Sequence, residues 1–184
     1  MKKFILALVA VVVLIGSLFF STYNGLVAAN ENVTAQWSQV ENQLQRRNDL
    51  IPNLVSTVKG YASHEKKVFR DVSDARSRLA GAKTVAEASQ ANGELGNALS
   101  RLLAISEAYP ELKANTNFIR LQDELAGTEN RIAVARRDYN AAAQQFNTKI
   151  KSFPTNVLAG MMGFGSRDYF KADEGAQKAP KVSF

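Results

Sequence analysis

Apolar residues recur along this chain at alternating steps of three and four. Leu26, Val33, Trp37, Val40 and Leu44 form one run, with Asn30 at a skipped position. Ile51, Leu54, Val58, Tyr61, Val68, Val72, Ala75 and Leu79 continue it, with Arg47 and Glu65 in the seam. That period belongs to helices packed lengthwise. Gly81 breaks the pattern and a new start falls near Thr84. Val85, Ala88, Leu95, Leu99 and Leu102 make the next stripe, weakened by Gly93 and Gly96 at about 1 kcal/mol each relative to alanine. Tyr109-Pro110 ends it, and Pro110 suits the first turn of a following helix, where no N–H is needed. The last stripe is Phe118, Leu121, Leu125, Thr128, Ile132, Ala135, Tyr139, Ala142, Phe146 and Ile150. "SFP" at 152–154 stops it. No stretch alternates as a strand does.

"RRNDLIPNL" at 46–54 puts two arginines, an Asn-Asp pair and a proline inside this seam. One helix over residues 23–80 would be about 87 Å long, and the following helix, of about 25 residues, could not cover it. A break at Asn48-Asp49 resolves the mismatch: Asp49 caps a new helix and Pro52 falls in its first turn. The alternative is a continuous helix kinked at Pro52, costing about 3 kcal/mol unless packing compensates. The fold expected is all-α: an N-terminal transmembrane helix, then an antiparallel up-and-down four-helix bundle. The expected division is an anchor at 1–23 and a bundle at 24–152, with helices near 24–48, 50–80, 84–108 and 111–151. A Gly-rich apolar, then polar, tail fills 153–184. In that layout residues 46–49 form a membrane-distal turn, and "FPTNVLAGMMGFG" at 153–165 lies near the lipid or covers the base of the bundle.

Charge sharpens the N-terminal reading. Phe4–Phe20 carries no charge and would extend about 26 Å as a helix, close to a bilayer core once Ser21–Tyr23 is added. A cleaved signal peptide has a shorter core, about 7–15 residues, and the one plausible cleavage site, Val27-Ala28-Ala29, lies well past the apolar run. An uncleaved signal anchor is therefore expected. Lys2 and Lys3 precede the span and Arg46 is the next basic residue, so the N-terminus is expected in the cytoplasm and the rest outside it.

Composition mostly excludes. The 184 residues are 46% hydrophobic and 22% charged, with net charge +6 and no cysteine. Disulfides, thiolate metal sites and a cysteine nucleophile are ruled out. Basic and acidic residues are interleaved, so nucleic acid is not an expected partner. The single histidine, in "HEKK" at 64–67, cannot build a zinc or di-iron site and reads as a surface residue beside Glu65. No serine triad, nucleophile elbow or phosphate loop appears. No catalytic, metal or cofactor residues are assigned. Arg47 and Glu65 read either as edge residues snorkelling to water or as buried ion-pair members. Glu129, Arg136 and Asn140 read as local helix pairs, and Met161-Met162 as packing. Arg46 and Arg47 are the candidate partner surface, since a turn does not require two guanidiniums; Asp49 and Pro52 are the structural turn.

"YNGLV" at 23–27, "QWSQVENQLQRRNDLIPNLVSTVKGYASHE" at 36–65, "AR" at 75–76, "LQDELAGTENRIAVARRDYN" at 121–140 and "FPTNVLAGMMGFG" at 153–165 together resemble the LemA family of bacterial membrane proteins. The resemblance implies one N-terminal transmembrane helix, an α-helical bundle and a place in the cell envelope. It transfers no enzymatic residue. The expected role is a non-enzymatic, membrane-anchored interaction or scaffold module of the cytoplasmic membrane, contacting lipid through its N-terminal helix and another envelope protein through its bundle. The alternative is a regulatory subunit of a membrane-bound protease or transporter. Homo-oligomerisation stays open.

Overall fold

The computed structural model describes residues 2–171, and all regular structure among them is helical. The elements are α1 (Lys2–Tyr61), α2 (Lys66–Gly81), α3 (Val85–Ile105), a 3₁₀ turn (Ser106–Ala108), α4 (Pro110–Lys113), α5 (Thr116–Lys151) and α6 (Thr155–Met161). The polar end of the tail expected over residues 172–184 lies outside the described residues.

Three boundaries differ from the sequence reading. First, α1 runs unbroken through Asn48-Asp49 and Pro52, and the chain turns at 62–65 instead. Asp49 is therefore a mid-helix residue, and its carboxylate accepts from the Gln45 amide one turn back rather than capping a helix start. Second, the helix expected from about 111 is split. Asn115 Oδ1 accepts the Phe118 N–H at 3.0 Å, a side-chain cap that restarts the helix as α5. Third, the tail contains α6. Gly163 adopts φ +75°, Phe164 N–H bonds back to the Ala159 carbonyl and Gly163 N–H to Gly160. This is a Schellman stop, and "GMMGFG" supplies the glycine it needs. By contrast, the start of α3 rests on a local signal. Thr84 accepts from Glu87 N–H while the Glu87 carboxylate accepts from the N–H groups of Lys83 and Thr84. Those donors, Lys83 first, hold the Glu87 carboxyl below its ordinary value.

The described residues form two compact units. One comprises the chain up to Trp37 with Asp138–Arg167. Its α1 portion begins with an apolar stretch of which nothing is buried; Phe4, Leu6 and Phe20 are each more than two-thirds exposed. This is the one helix among the described residues long and apolar enough to cross a membrane. Beyond it Leu26 and Val33 are buried, as are Tyr139, Phe146 and Ile150 of α5 and Ala159 of α6. Trp37 meets Tyr139 edge-on at 5.3 Å between ring centres, and Phe164 contacts both Phe146 and Tyr23. The buried Asn147 side chain pairs with the backbone N–H and carbonyl of Arg167, both at 2.8 Å. The Arg167 guanidinium in turn donates to Asn30 at 2.7 Å. Asn30, the skipped seam position, thus accepts the guanidinium of the returning tail.

The other unit comprises Ser38–Arg137 with the described residues from Asp168. Val40, Leu44, Ile51, Leu54 and Val58 of α1 are buried, as are Val72 and Leu79 of α2, Leu95 and Leu102 of α3, and Phe118, Leu125 and Ile132 of α5. Tyr61, expected in the seam, is exposed and its hydroxyl accepts from the Asn115 amide. Phe170 is buried beneath the Arg136 guanidinium, 4.5 Å from the ring centre, and Arg136 and Ser89 both donate to the Lys171 carbonyl.

Candidate functional site

The polar residues of 46–49 do not make an exposed turn. Arg47 and Asn48 are buried inside the second unit, while Arg46 and Asp49 on either side of them stay exposed. Arg47 is on the buried face of α1, its side chain 8% exposed. One guanidinium nitrogen, Nη1, donates to Asn92 Oδ1 of α3 at 2.9 Å and lies 2.8 Å from Glu129 Oε2 of α5. Arg47 is thus a buried pair member, not a snorkelling edge residue. Glu129 reaches across to it rather than pairing only within its own helix. Glu65 is half-buried in the 62–65 turn, and His64 is exposed beside it.

Arg46 differs in kind. Its side chain is 54% exposed and pairs with Glu124 of α5 at 3.1 Å, itself half exposed. Glu124 also borders an open cleft of about 640 Å³, lined in part by Asn53, Ser56, Asn117, Arg120 and Asp123. A second cleft, of about 370 Å³, has Arg47, Asn92 and Glu129 along with Gly96, Leu99 and Leu125. A methyl group at Gly96 would sit 3.6 Å from Arg47 Nη2, an ordinary contact.

Pro52 explains Arg76. A proline has no N–H, so in an α-helix the carbonyl four residues earlier loses its partner. That carbonyl belongs to Asn48, a buried residue. Arg76 of α2 donates its Nε–H to it at 3.2 Å. The helix continues through Pro52 with its missing hydrogen bond replaced from a neighbour. The "AR" at 75–76 contributes a buried Ala75 and this donor.

The layer joins α1 to α2 through Arg76, to α3 through Asn92 and to α5 through Glu124 and Glu129. Sequence reasoning missed Asn92 and the role of Arg76. The available signal was an arginine and a proline in one apolar seam, each of which demands a partner from outside its helix. Met161, read as packing, is 78% exposed. Among the described residues no three His, Asp or Glu side chains are grouped to hold a metal ion.

The LemA family profile matches residues 36–184. Magnetosome proteins MamQ 1 and MamQ 2 of Paramagnetospirillum magneticum (strain AMB-1) are each 31% identical, over 91% of this chain and 71% of theirs. Protein LemA of Metamycoplasma hominis is 24% identical, over 82% of this chain and 69% of its own. On the extent of the profile match and the coverage of these relatives, the chain belongs to the LemA family.

Proposed function

We propose that this protein is a non-enzymatic, membrane-anchored helical interaction module of the bacterial cell envelope. The Phe4–Phe20 stretch holds it in the cytoplasmic membrane, and the packed helices are displayed on the non-cytoplasmic side. The observation that carries the reading is that one helix, α1, is wholly unburied and apolar at one end and packed with polar ties at the other. An unburied apolar helix of that length needs lipid as its solvent. The family membership supports an envelope setting, and the MamQ relatives carry the printed name magnetosome protein.

The partner is another envelope protein, and its contact is centred on Arg46 with the adjoining cleft at Asn53, Arg120, Asp123 and Glu124. Arg46 and Glu124 are both about half exposed, so a partner's carboxylate or guanidinium can exchange with either at little cost to the fold. Arg47 contributes by holding Arg46's helix in place, not by contact.

Two measurements test this. A photocrosslinking residue at Arg46 in intact cells gives a discrete adduct with one envelope protein. No adduct, or one no stronger than from the exposed Ser77 of α2, removes the partner surface. Ser77→Cys reacts with a membrane-impermeant thiol reagent in cells with a permeabilised outer layer. Protection until the cytoplasmic membrane is lysed reverses the orientation.

A further inference from the structure

The first unit ends in an apolar face that none of the described residues covers. Phe153 is 84% exposed, Val157 56% and Met161 78%. They stand four residues apart, so Val157 and Met161 share one side of α6, with Phe153 leading into it. On the other side Ala159 is buried. The face has no acidic neighbour in sequence: between Asp138 and Asp168 the charged residues are Lys149, Lys151 and Arg167. Lys149 and Lys151 lie in the last turn of α5, immediately before the face.

Contacts within the unit place it along α1. Trp37 meets Tyr139, Asn30 and Asn147 share Arg167, and Tyr23 meets Phe164, which also touches Phe146. Residues of falling number on α1 thus meet residues of rising number on α5 and its extension. Phe164 follows α6 directly through the Schellman stop at Gly163 and rests on Tyr23. Tyr23 lies three residues past Phe20, the last residue of the apolar run, or about 4.5 Å along the helix. With Phe4–Phe20 read as the span, the headgroup zone of one leaflet, about 5–7 Å deep, takes in Tyr23 and the Phe164 that rests on it.

We infer that α6 with Phe153 is an interfacial foot: Phe153, Val157 and Met161 enter the acyl–headgroup boundary of the leaflet that α1 leaves, while Lys149 and Lys151 engage anionic lipid headgroups. This rests on the reading of Phe4–Phe20 as a membrane span. The arrangement is that of an interfacial helix, with a short apolar face below and basic residues beside it. It also removes from water three large apolar side chains that the described residues leave uncovered.

The chain has no cysteine, so single labels are available without other changes. Full-length protein carrying Leu14→Cys, Met161→Cys or Ser77→Cys is labelled with an environment-sensitive fluorophore. Each is reconstituted into phosphatidylcholine vesicles containing a minority of phosphatidylglycerol, with spin-labelled lipid quenchers held shallow or deep in the leaflet. The inference expects the Leu14 label to lose most fluorescence to the deep quencher, the Met161 label to the shallow one, and the Ser77 label to neither. Reversing Lys149 and Lys151 to Glu reduces shallow quenching at Met161 and leaves Leu14 unchanged. Deep quenching at Leu14 with none at Met161 overturns the foot and leaves the span standing. No quenching at Leu14 overturns the span, and the foot with it. A Met161 label unquenched by lipid but joined to a second copy by bifunctional thiol crosslinking assigns the face to self-association and overturns the proposal.

Discussion

Replacing Arg76 by leucine removes the donor that stands in for the missing Pro52 N–H, while keeping most of the side chain's apolar stem. The Asn48 carbonyl belongs to a residue 6% exposed, so water does not readily take the vacated place. A hydrogen bond from a charged donor is worth about 1.5–3 kcal/mol, and an orphaned buried acceptor costs about 1–3 kcal/mol. Arg76→Leu should therefore lower stability by about 2 kcal/mol, or the unfolding midpoint by roughly 4–8 °C for a chain of this size. That number alone would not identify the cause, because Arg76 also packs. Pro52→Ala supplies the missing test. It restores an N–H four residues after Asn48 and removes a residue disfavoured by up to about 3 kcal/mol in a helix interior. Alone, it should stabilise. In its presence the Asn48 carbonyl has its own helical donor, and Arg76→Leu should cost no more than about 0.5 kcal/mol, an ordinary surface value. The coupling between the two sites is then at least about 1 kcal/mol. Thermal unfolding of the four full-length proteins in detergent, followed by helical circular dichroism, closes the cycle. Equal costs of Arg76→Leu in both backgrounds would show that Arg76 acts by packing alone and would refute the compensation argument.

The two adjacent arginines should separate cleanly: Arg46→Ala changes stability by about 0–1 kcal/mol, whereas Arg47→Ala costs about 2–4 kcal/mol because Asn92 loses its partner and a hole opens beside it. Similar melting temperatures for the two variants would contradict the burial difference. Asp49→Ala, once the expected cap is replaced by a single exposed bond from Gln45, should fall within about 0.5 kcal/mol of wild type, and a loss near 1 kcal/mol, typical of a cap, would count against the continuous helix. Gly96→Ala should stabilise α3 by up to about 1 kcal/mol, since the added methyl meets Arg47 only at ordinary contact distance; a lowered midpoint would mean that the cleft has no room. The Glu87 carboxyl is held below its ordinary value in the folded chain, chiefly by the Lys83 N–H, so its contribution is present above the unfolded value and lost as pH falls through the folded one. Between neutral and acid pH, wild type should lose its advantage over Glu87→Gln, and a constant difference would show that the carboxylate charge plays no part in the cap. Finally, replacing Arg47, Asn92 and Glu129 together by Met, Leu and Leu should raise the melting temperature yet broaden or double methyl NMR signals from the core, whereas sharp single signals would show that the layer does not specify register.

Much of this fold was legible because its signals are local. The stripe from Phe118 through Leu125, Ile132, Tyr139 and Phe146 to Ile150 is buried except at Leu121, which is half-buried. Thr84 with Glu87, and Pro110 at a helix start, act within one turn of themselves. The break at Asn48-Asp49 misled because Asp49 and Pro52 are equally local signals, and here tertiary partners override them. The donor that rescues Asn48 lies 28 residues away, and the Asn92 that meets Arg47 lies 45 away; no window on α1 contains either. The seven residues of α6 are too few to show a period, and glycine-rich composition hid a helix whose stop requires Gly163.

Why such a layer is kept follows from its cost. Apolar stripes of period 3.6 tolerate sliding by a turn, since leucine meets alanine or valine almost as well at the next level. Arg47 does not tolerate it. Displace α3 by one turn, about 5.4 Å, and its guanidinium loses the Asn92 amide; displace α5 and it loses the Glu129 carboxylate, and a buried charge that loses its partner costs several kcal/mol. Move α2 and the Asn48 carbonyl is orphaned as well. Arg47 and Pro52 each lack something that only another helix can supply, and Asn92, Glu129 and Arg76 supply it at one level of the unit. The residues that looked like an interruption of the seam are those that tie α2, α3 and α5 to a single register against α1, with Arg46 beside them half exposed and paired with Glu124.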